Sequence, residues 1–147
     1  YSITELMAQT EELIAEGKMT KEAAECIYFK SILAFAKSPV GMRMRNAFLN
    51  ETLKREQPFV MSVPASEADP SYPETILVQG IIDAWFPEGD EIVLVDYKTD
   101  RVKEAGELKK RYEKQLAYYQ QALERTTGKK VKEKIIYSLA LDEELVL

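Results

Sequence analysis

Apolar side chains recur at helical three-and-four spacing over the first fifty or so residues, and mainly at the two-residue spacing of strands from Lys54 onward. Ile3, Leu6, Met7, Thr10, Leu13 and Ile14 mark a first helix, with Gly17 as its stop. Thr20 is placed to cap a second helix running to about Lys37, with Ala24, Ile27, Tyr28, Ser31 and Phe35 along one side. Ser38-Pro39 reads as an N-cap with proline at the first helical position, opening a short helix through Arg45. Phe59, Met61 and Val63 then alternate within a strand predicted over Lys54 to Pro64, and the proline- and serine-containing stretch from Ala65 to Pro73 is a loop.

Ile76 to Phe86 and Glu91 to Thr99 are predicted strands of a hairpin turning through Pro87-Glu88-Gly89-Asp90. A long helix follows from about Glu107 to Thr126, ended by Gly128, and Val131 to Leu139 and Glu144 to Leu147 close the chain as strands. The expected architecture is an α/β (α+β) domain: a helical lead-in over 1–52, then a core over 53–147 built on a central mixed sheet with the long helix packed on it.

Composition narrows the chemistry. No apolar run approaches the ~18 residues of a membrane span, and the opening stretch from Tyr1 to Glu5 is an acidic helical pattern rather than a signal peptide. Cys26 is the single cysteine, so an internal disulfide and a cysteine-based zinc site are excluded. It lies in a helical apolar stretch, where a buried thiol is expected, and a reducing cytoplasm fits. The net charge of −5 argues mildly against gripping nucleic acid by charge alone, but carboxylates that hold a cation count as negative in that sum. With no histidine present, a histidine general base, a Ser-His-Asp triad and a histidine metal ligand are all excluded.

Against this background Asp83 and Asp96 stand out. On the second hairpin strand, Ile92, Leu94, Asp96 and Lys98 share one face, while Val93, Val95, Tyr97 and Thr99 share the other. With Phe86 opposite Glu91, Asp83 falls opposite Leu94, and Asp96 is its diagonal neighbour roughly 7–8 Å away. Two carboxylates on one face near a core repel and lose hydration unless something cationic compensates. Lys98 supplies one charge and a divalent metal would supply the rest. The plainer alternative is that Asp83 is a strand-end residue in water, with Asp96 and Lys98 an ordinary surface pair.

Leu108, Tyr112, Gln115, Tyr119 and Ala122 form one stripe of the long helix. Gln115 interrupts an otherwise apolar face and needs a hydrogen-bond partner, which a site on the sheet would provide. Helix packing accounts for most of the tyrosines. Lys109, Lys110, Arg111 and Lys114 make the first half of this helix basic, either a solvated face or one that tracks phosphates.

Gly80-Ile81-Ile82-Asp83, Asp96-Tyr97-Lys98-Thr99 and Gln115-Leu116-Ala117-Tyr118-Tyr119 together resemble the Gly-x-x-Asp, Asp-Tyr-Lys-Thr and Gln-x-x-x-Tyr motifs of the RecB-type nucleases in the PD-(D/E)XK superfamily. Within that family the pattern is most similar to the C-terminal nuclease domains of the AddA (RexA) type, and Arg55-Glu56-Gln57-Pro58-Phe59 resembles a stretch that precedes their metal strands. The resemblance implies a restriction-endonuclease-like core and a metal-dependent DNA nuclease or exonuclease working in double-strand-break repair and recombination.

It further implies that Asp83, Asp96 and the Tyr97 backbone carbonyl hold Mg²⁺ (Mn²⁺ being possible), and that Lys98 orients the attacking water. Gln115 and Tyr119 would shape the site or touch DNA, and Glu56 would be an outer or direct ligand or an edge-strand ion pair. ATP would bind only in a helicase portion outside this stretch, since Leu123 and Lys130 spoil the phosphate-loop pattern around Gly128-Lys129. The implied partners are DNA and an AddB/RexB-like subunit, with no membrane.

One departure is plain: the family carries a metal-ligand histidine on an upstream helix, and this chain has none. The expectation is a fragment beginning after that helix, with weak or absent activity alone. Two competing readings are a non-catalytic nuclease-like module that guides DNA or docks a partner, and an unrelated α/β domain with a chance motif.

Overall fold

A computed structural model describes residues 2–67 and 69–147; Tyr1 and Ala68, within the predicted first helix and the predicted loop, lie outside the described residues. Helix α1 (Ile3–Ala15) starts behind Ser2, whose hydroxyl accepts the Glu5 N–H while the Glu5 carboxylate accepts the Ser2 N–H. Thr20 caps the next helix through the Ala23 N–H, as expected.

That helix is not continuous to Lys37. It is two, α2 (Lys21–Glu25) and α3 (Phe29–Lys37), separated at Cys26-Ile27-Tyr28. The Cys26 and Ile27 N–H groups fall back on carbonyls three residues earlier, tightening the chain out of the helix. Tyr28 is 75% exposed, so the apolar stripe across this junction never formed one buried face. Cys26 is likewise exposed rather than buried. Ser38 caps α4 (Pro39–Leu49), which outlasts its predicted end at Arg45 because Ala47 continues the buried line of Val40 and Met44.

The sheet has the order β1 (Lys54–Pro64), β2 (Thr75–Glu88), β3 (Glu91–Lys98), β4 (Val131–Ser138), β5 (Glu143–Val146). Neighbours are antiparallel except β3 and β4, which are parallel and joined by α5 (Ala105–Thr127) as a crossover. Gly128, at φ 69, ends α5 in the left-handed conformation. The result is a mixed five-stranded α/β sheet of the restriction-endonuclease-like kind, with helices on both faces.

Strand alternation places these faces as expected. Ile92 and Leu94 pack with Leu108, Leu116, Tyr119 and Leu123 under α5. Val93 and Val95 pack with Val40, Met44 and Ala47 under α4. At the sheet's end Arg43 of α4 is bidentate to Glu88 at 2.8 and 2.9 Å and reaches Glu133 at 2.7 Å, clamping α4 to β2 and β4.

The hairpin register differs from the expected one by two residues. Phe86 pairs with Val93 and Glu88 with Glu91, so the turn is Gly89-Asp90 alone, with Gly89 at φ 62. Proline was read as a turn residue, yet Pro87 continues the strand opposite Ile92. It can do so because the last β1 partner of β2 is Trp85, which leaves Pro87 on an edge where no N–H is required.

Candidate active site

The two-residue shift preserves the face of each residue and brings the carboxylates closer than the diagonal expected. Ala84 pairs with Val95, so one further step sets Asp83 beside Asp96. There the backbone rung is replaced by a side chain: the Tyr97 N–H donates to Asp83 Oδ2 at 2.9 Å. Alternate carbonyls of a strand point to opposite edges, and the Lys98 carbonyl accepts the Leu139 N–H on the β4 side. The Tyr97 carbonyl therefore points to the β2 side, toward Asp83.

The neighbouring strand is distorted at the same step. Arg55 pairs with Ala84 and Gln57 with Ile82, but no rung joins Glu56 to Asp83, and Glu56 has φ 50. A non-glycine residue in that region is strained. Alternation in β2 breaks there: Ile82 packs on the α5 side, Ala84 and Phe86 on the α4 side, and Trp85 again on the α5 side. Glu56, Asp83, Arg55 and Tyr97 line one cleft of about 590 Å³.

Asp96 is 2% exposed. Burial pushes its carboxyl above the usual range; Lys98 pulls it down, and the adjacent Asp83 carboxylate pushes it up again. Among the described residues the Lys98 ammonium, 2.7 Å away, is the one partner of the buried Asp96 Oδ2. Two carboxylates thus crowd one small volume against a single ammonium. Lys98 Nζ also donates to Gln115 Oε1 at 3.0 Å, the partner that the isolated glutamine on α5 required. Burial raises the Tyr97 phenol to about 12, with Asp83 adding to the shift.

The arrangement gathers Asp83, Asp96, Tyr97, Lys98 and Gln115. It does not gather every expected residue. Among the described residues no three His, Cys, Asp or Glu side chains come together as a metal cluster, so Glu56 shares the cleft without joining the carboxylate pair. Tyr119 is buried, its ring edge-on to Phe59 at 5.4 Å. Gly80 makes room for that pair: a Cβ there would lie 3.0 Å from Phe59 Cε1. Lys109, Lys110, Arg111 and Lys114 are exposed.

Sequence reasoning gave Tyr112 a packing role on the α5 stripe and Asp100 none. The Tyr112 ring lies under Lys98 Nζ at 4.0 Å, and its hydroxyl donates to Asp100 Oδ2 at 2.8 Å. The signal was present, since Tyr112 stands three residues before Gln115 on the same stripe.

Paired carboxylates and a lysine lie together at a distorted hairpin of a mixed sheet flanked by helices, and the chain belongs to the PD-(D/E)XK nuclease superfamily, whose family pattern matches residues 3–145. It is 40% identical over 145 residues to the A-subunit of the ATP-dependent helicase/nuclease of Acetivibrio thermocellus, covering 93% of this chain and 11% of that protein. The protein of the same name in Clostridium novyi is 40% identical over 152 residues, covering 98% and 12%. That of Clostridium kluyveri is 37% identical over 147 residues, covering 96% and 12%. The chain therefore spans about one eighth or less of these relatives' length, and it is a nuclease domain homologous to part of such proteins.

Proposed function

We propose that residues 1–147 form one nuclease unit of a longer ATP-dependent helicase–nuclease subunit, acting on DNA ends as a metal-dependent exonuclease in double-strand-break repair and recombination. The observation that carries this reading is the crowding of Asp83 and Asp96 at the break in the β2 ladder, with Lys98 Nζ 2.7 Å from Asp96 Oδ2.

The donor set fits a hard divalent cation. A buried carboxylate faces a single ammonium, a second carboxylate is adjacent, and a backbone carbonyl points to the same side. Asp83, Asp96 and the Tyr97 carbonyl would hold Mg²⁺, with Mn²⁺ an alternative of similar oxygen preference. When bound, the cation would lower the pKa of a water and offset charge on the phosphate. Lys98 would direct its ammonium at the attacking water and the developing negative charge. Gln115 holds that ammonium from α5, and Tyr119 buttresses the floor. ATP use, a cytoplasmic setting and an AddB/RexB-like partner belong to the same reading; no helix among the described residues is long and apolar enough to cross a membrane.

The test is Mg²⁺- or Mn²⁺-dependent cleavage of single-stranded DNA by the parent protein, compared with its Asp83→Ala and Lys98→Ala variants. Each variant should lose at least about a hundredfold in rate. Undiminished cleavage by both would sink the assignment.

A further inference from the structure

We infer that Tyr112 is a positioning residue for Lys98: its ring and Gln115 hold the ammonium at the site, and Asp100 fixes the ring. This rests on the nuclease reading of Lys98. Tyr112 and Gln115 are three residues apart on α5 and so are neighbours on one helical face. Both turn to the same ammonium, Gln115 Oε1 at 3.0 Å and the Tyr112 ring centroid at 4.0 Å. The ring cannot swing freely, because its hydroxyl donates to Asp100 Oδ2 at 2.8 Å. Arg111 Nη1 donates to the same oxygen at 3.1 Å, so Asp100 is itself held. Asp100 follows Lys98 by two residues, and the end of β3 is thereby tied to α5 at the level of the lysine.

The arrangement answers a specific difficulty. A lysine carries a compact charge on a flexible four-carbon stem, and its default partner here is Asp96 Oδ2 at 2.7 Å. Asp96 is the group a cation would claim. The holders left to Lys98 are then Gln115, which fixes a direction, and the Tyr112 face, which attracts the cation without taking its proton. Tyr112 also packs against the core under α5, and a merely structural tyrosine would be replaceable by another apolar side chain.

Tyr112→Phe and Tyr112→Leu separate the two roles, since phenylalanine keeps the ring and leucine keeps only the packing. In the 147-residue chain with ¹³C at lysine ε-carbons, the Lys98 methylene should resonate upfield under the ring current, assigned by its loss in Lys98→Arg. The upfield position should survive Tyr112→Phe and vanish in Tyr112→Leu. In the parent protein, Tyr112→Leu should lower kcat roughly tenfold with KM for DNA little changed, and Tyr112→Phe should recover most of that loss. A wild-type Lys98 signal without upfield shift, or equal behaviour of the two variants in both measurements, would overturn the inference. If the leucine variant does not fold, Asp100→Ala removes the acceptor that fixes the ring instead, and a Lys98 signal unmoved by it would overturn the inference equally. Cleavage that survives Lys98→Ala while the upfield signal persists would instead refute the nuclease reading of Lys98, and the positioning role with it.

Discussion

Glu88 should make this fold lose stability in acid over a window that one substitution can isolate. Its carboxylate accepts two hydrogen bonds from Arg43, at 2.8 and 2.9 Å, and a third contact from Lys132 Nζ at 2.8 Å. The Arg43 guanidinium chiefly holds the carboxyl down at about 2, against an ordinary 4.5. In the window between those values the unfolded chain binds a proton that the folded chain refuses. The contribution is therefore complete above about pH 5, declines as pH falls from 4.5, and is gone below about 2. At about 1.4 kcal/mol per pH unit the shift corresponds to at most about 3.5 kcal/mol. A third of the side chain is exposed, and solvent screening reduces this to roughly 1 kcal/mol. Glu88→Gln removes the titration. The variant should be about 1 kcal/mol less stable than wild type at pH 7 in urea unfolding, and the gap should close steadily toward pH 2.5. Other carboxylates titrate in both proteins and cancel in the difference. A gap that stays constant from pH 7 to 2.5 would refute the linkage, and a gap that widens would reverse its sign.

Four further outcomes follow from the packing and the site. A Cβ on Gly41 would lie 2.0 Å from the Phe35 carbonyl oxygen, so Gly41→Ala should cost at least about 2–3 kcal/mol by thermal unfolding. Gly106→Ala, where nothing lies within 4 Å, should by contrast be neutral or stabilising by up to about 1 kcal/mol. Among the described residues the buried Tyr137 hydroxyl has no partner, while its ring lies edge-on against Phe35 at 4.9 Å, so Tyr137→Phe should hold or raise stability by up to about 1 kcal/mol; a clear loss would reveal a hidden partner. Mn²⁺ at a hundred times its dissociation constant should stabilise the chain by about 2.7 kcal/mol, and Asp96→Asn should abolish the response. A melting curve of the wild type indifferent to metal would favour the non-catalytic module.

The legible part of this structure was the part written in local rules. Caps at Thr20 and Ser38, the stop at Gly128, and alternation along β3 reproduce the starts, ends and faces of elements, because each depends on side chains a few residues apart. What misled was punctuation read without its neighbours. Pro87 looked like a turn until the end of the β1 pairing made it an edge position. Tyr28 looked like part of one apolar stripe and Cys26 like a buried thiol until the helix broke at Cys26-Ile27-Tyr28 and left both exposed.

The candidate site lies where the local rule itself fails. Strict alternation from Ile82 would send Asp83 to the α4 side, whereas alternation back from Trp85 would send it to the α5 side with Asp96. Both cannot hold. The chain resolves the conflict by dropping one rung of the β1–β2 ladder, setting Glu56 at φ 50, and giving Asp83 the Tyr97 N–H that a backbone carbonyl would otherwise take. Such a left-handed residue costs on the order of 1–2 kcal/mol, and no packing need explains it, since Glu56 is exposed. The hairpin register sets the two aspartates side by side, and the break in the neighbouring ladder is where the Asp83 carboxylate takes the Tyr97 N–H.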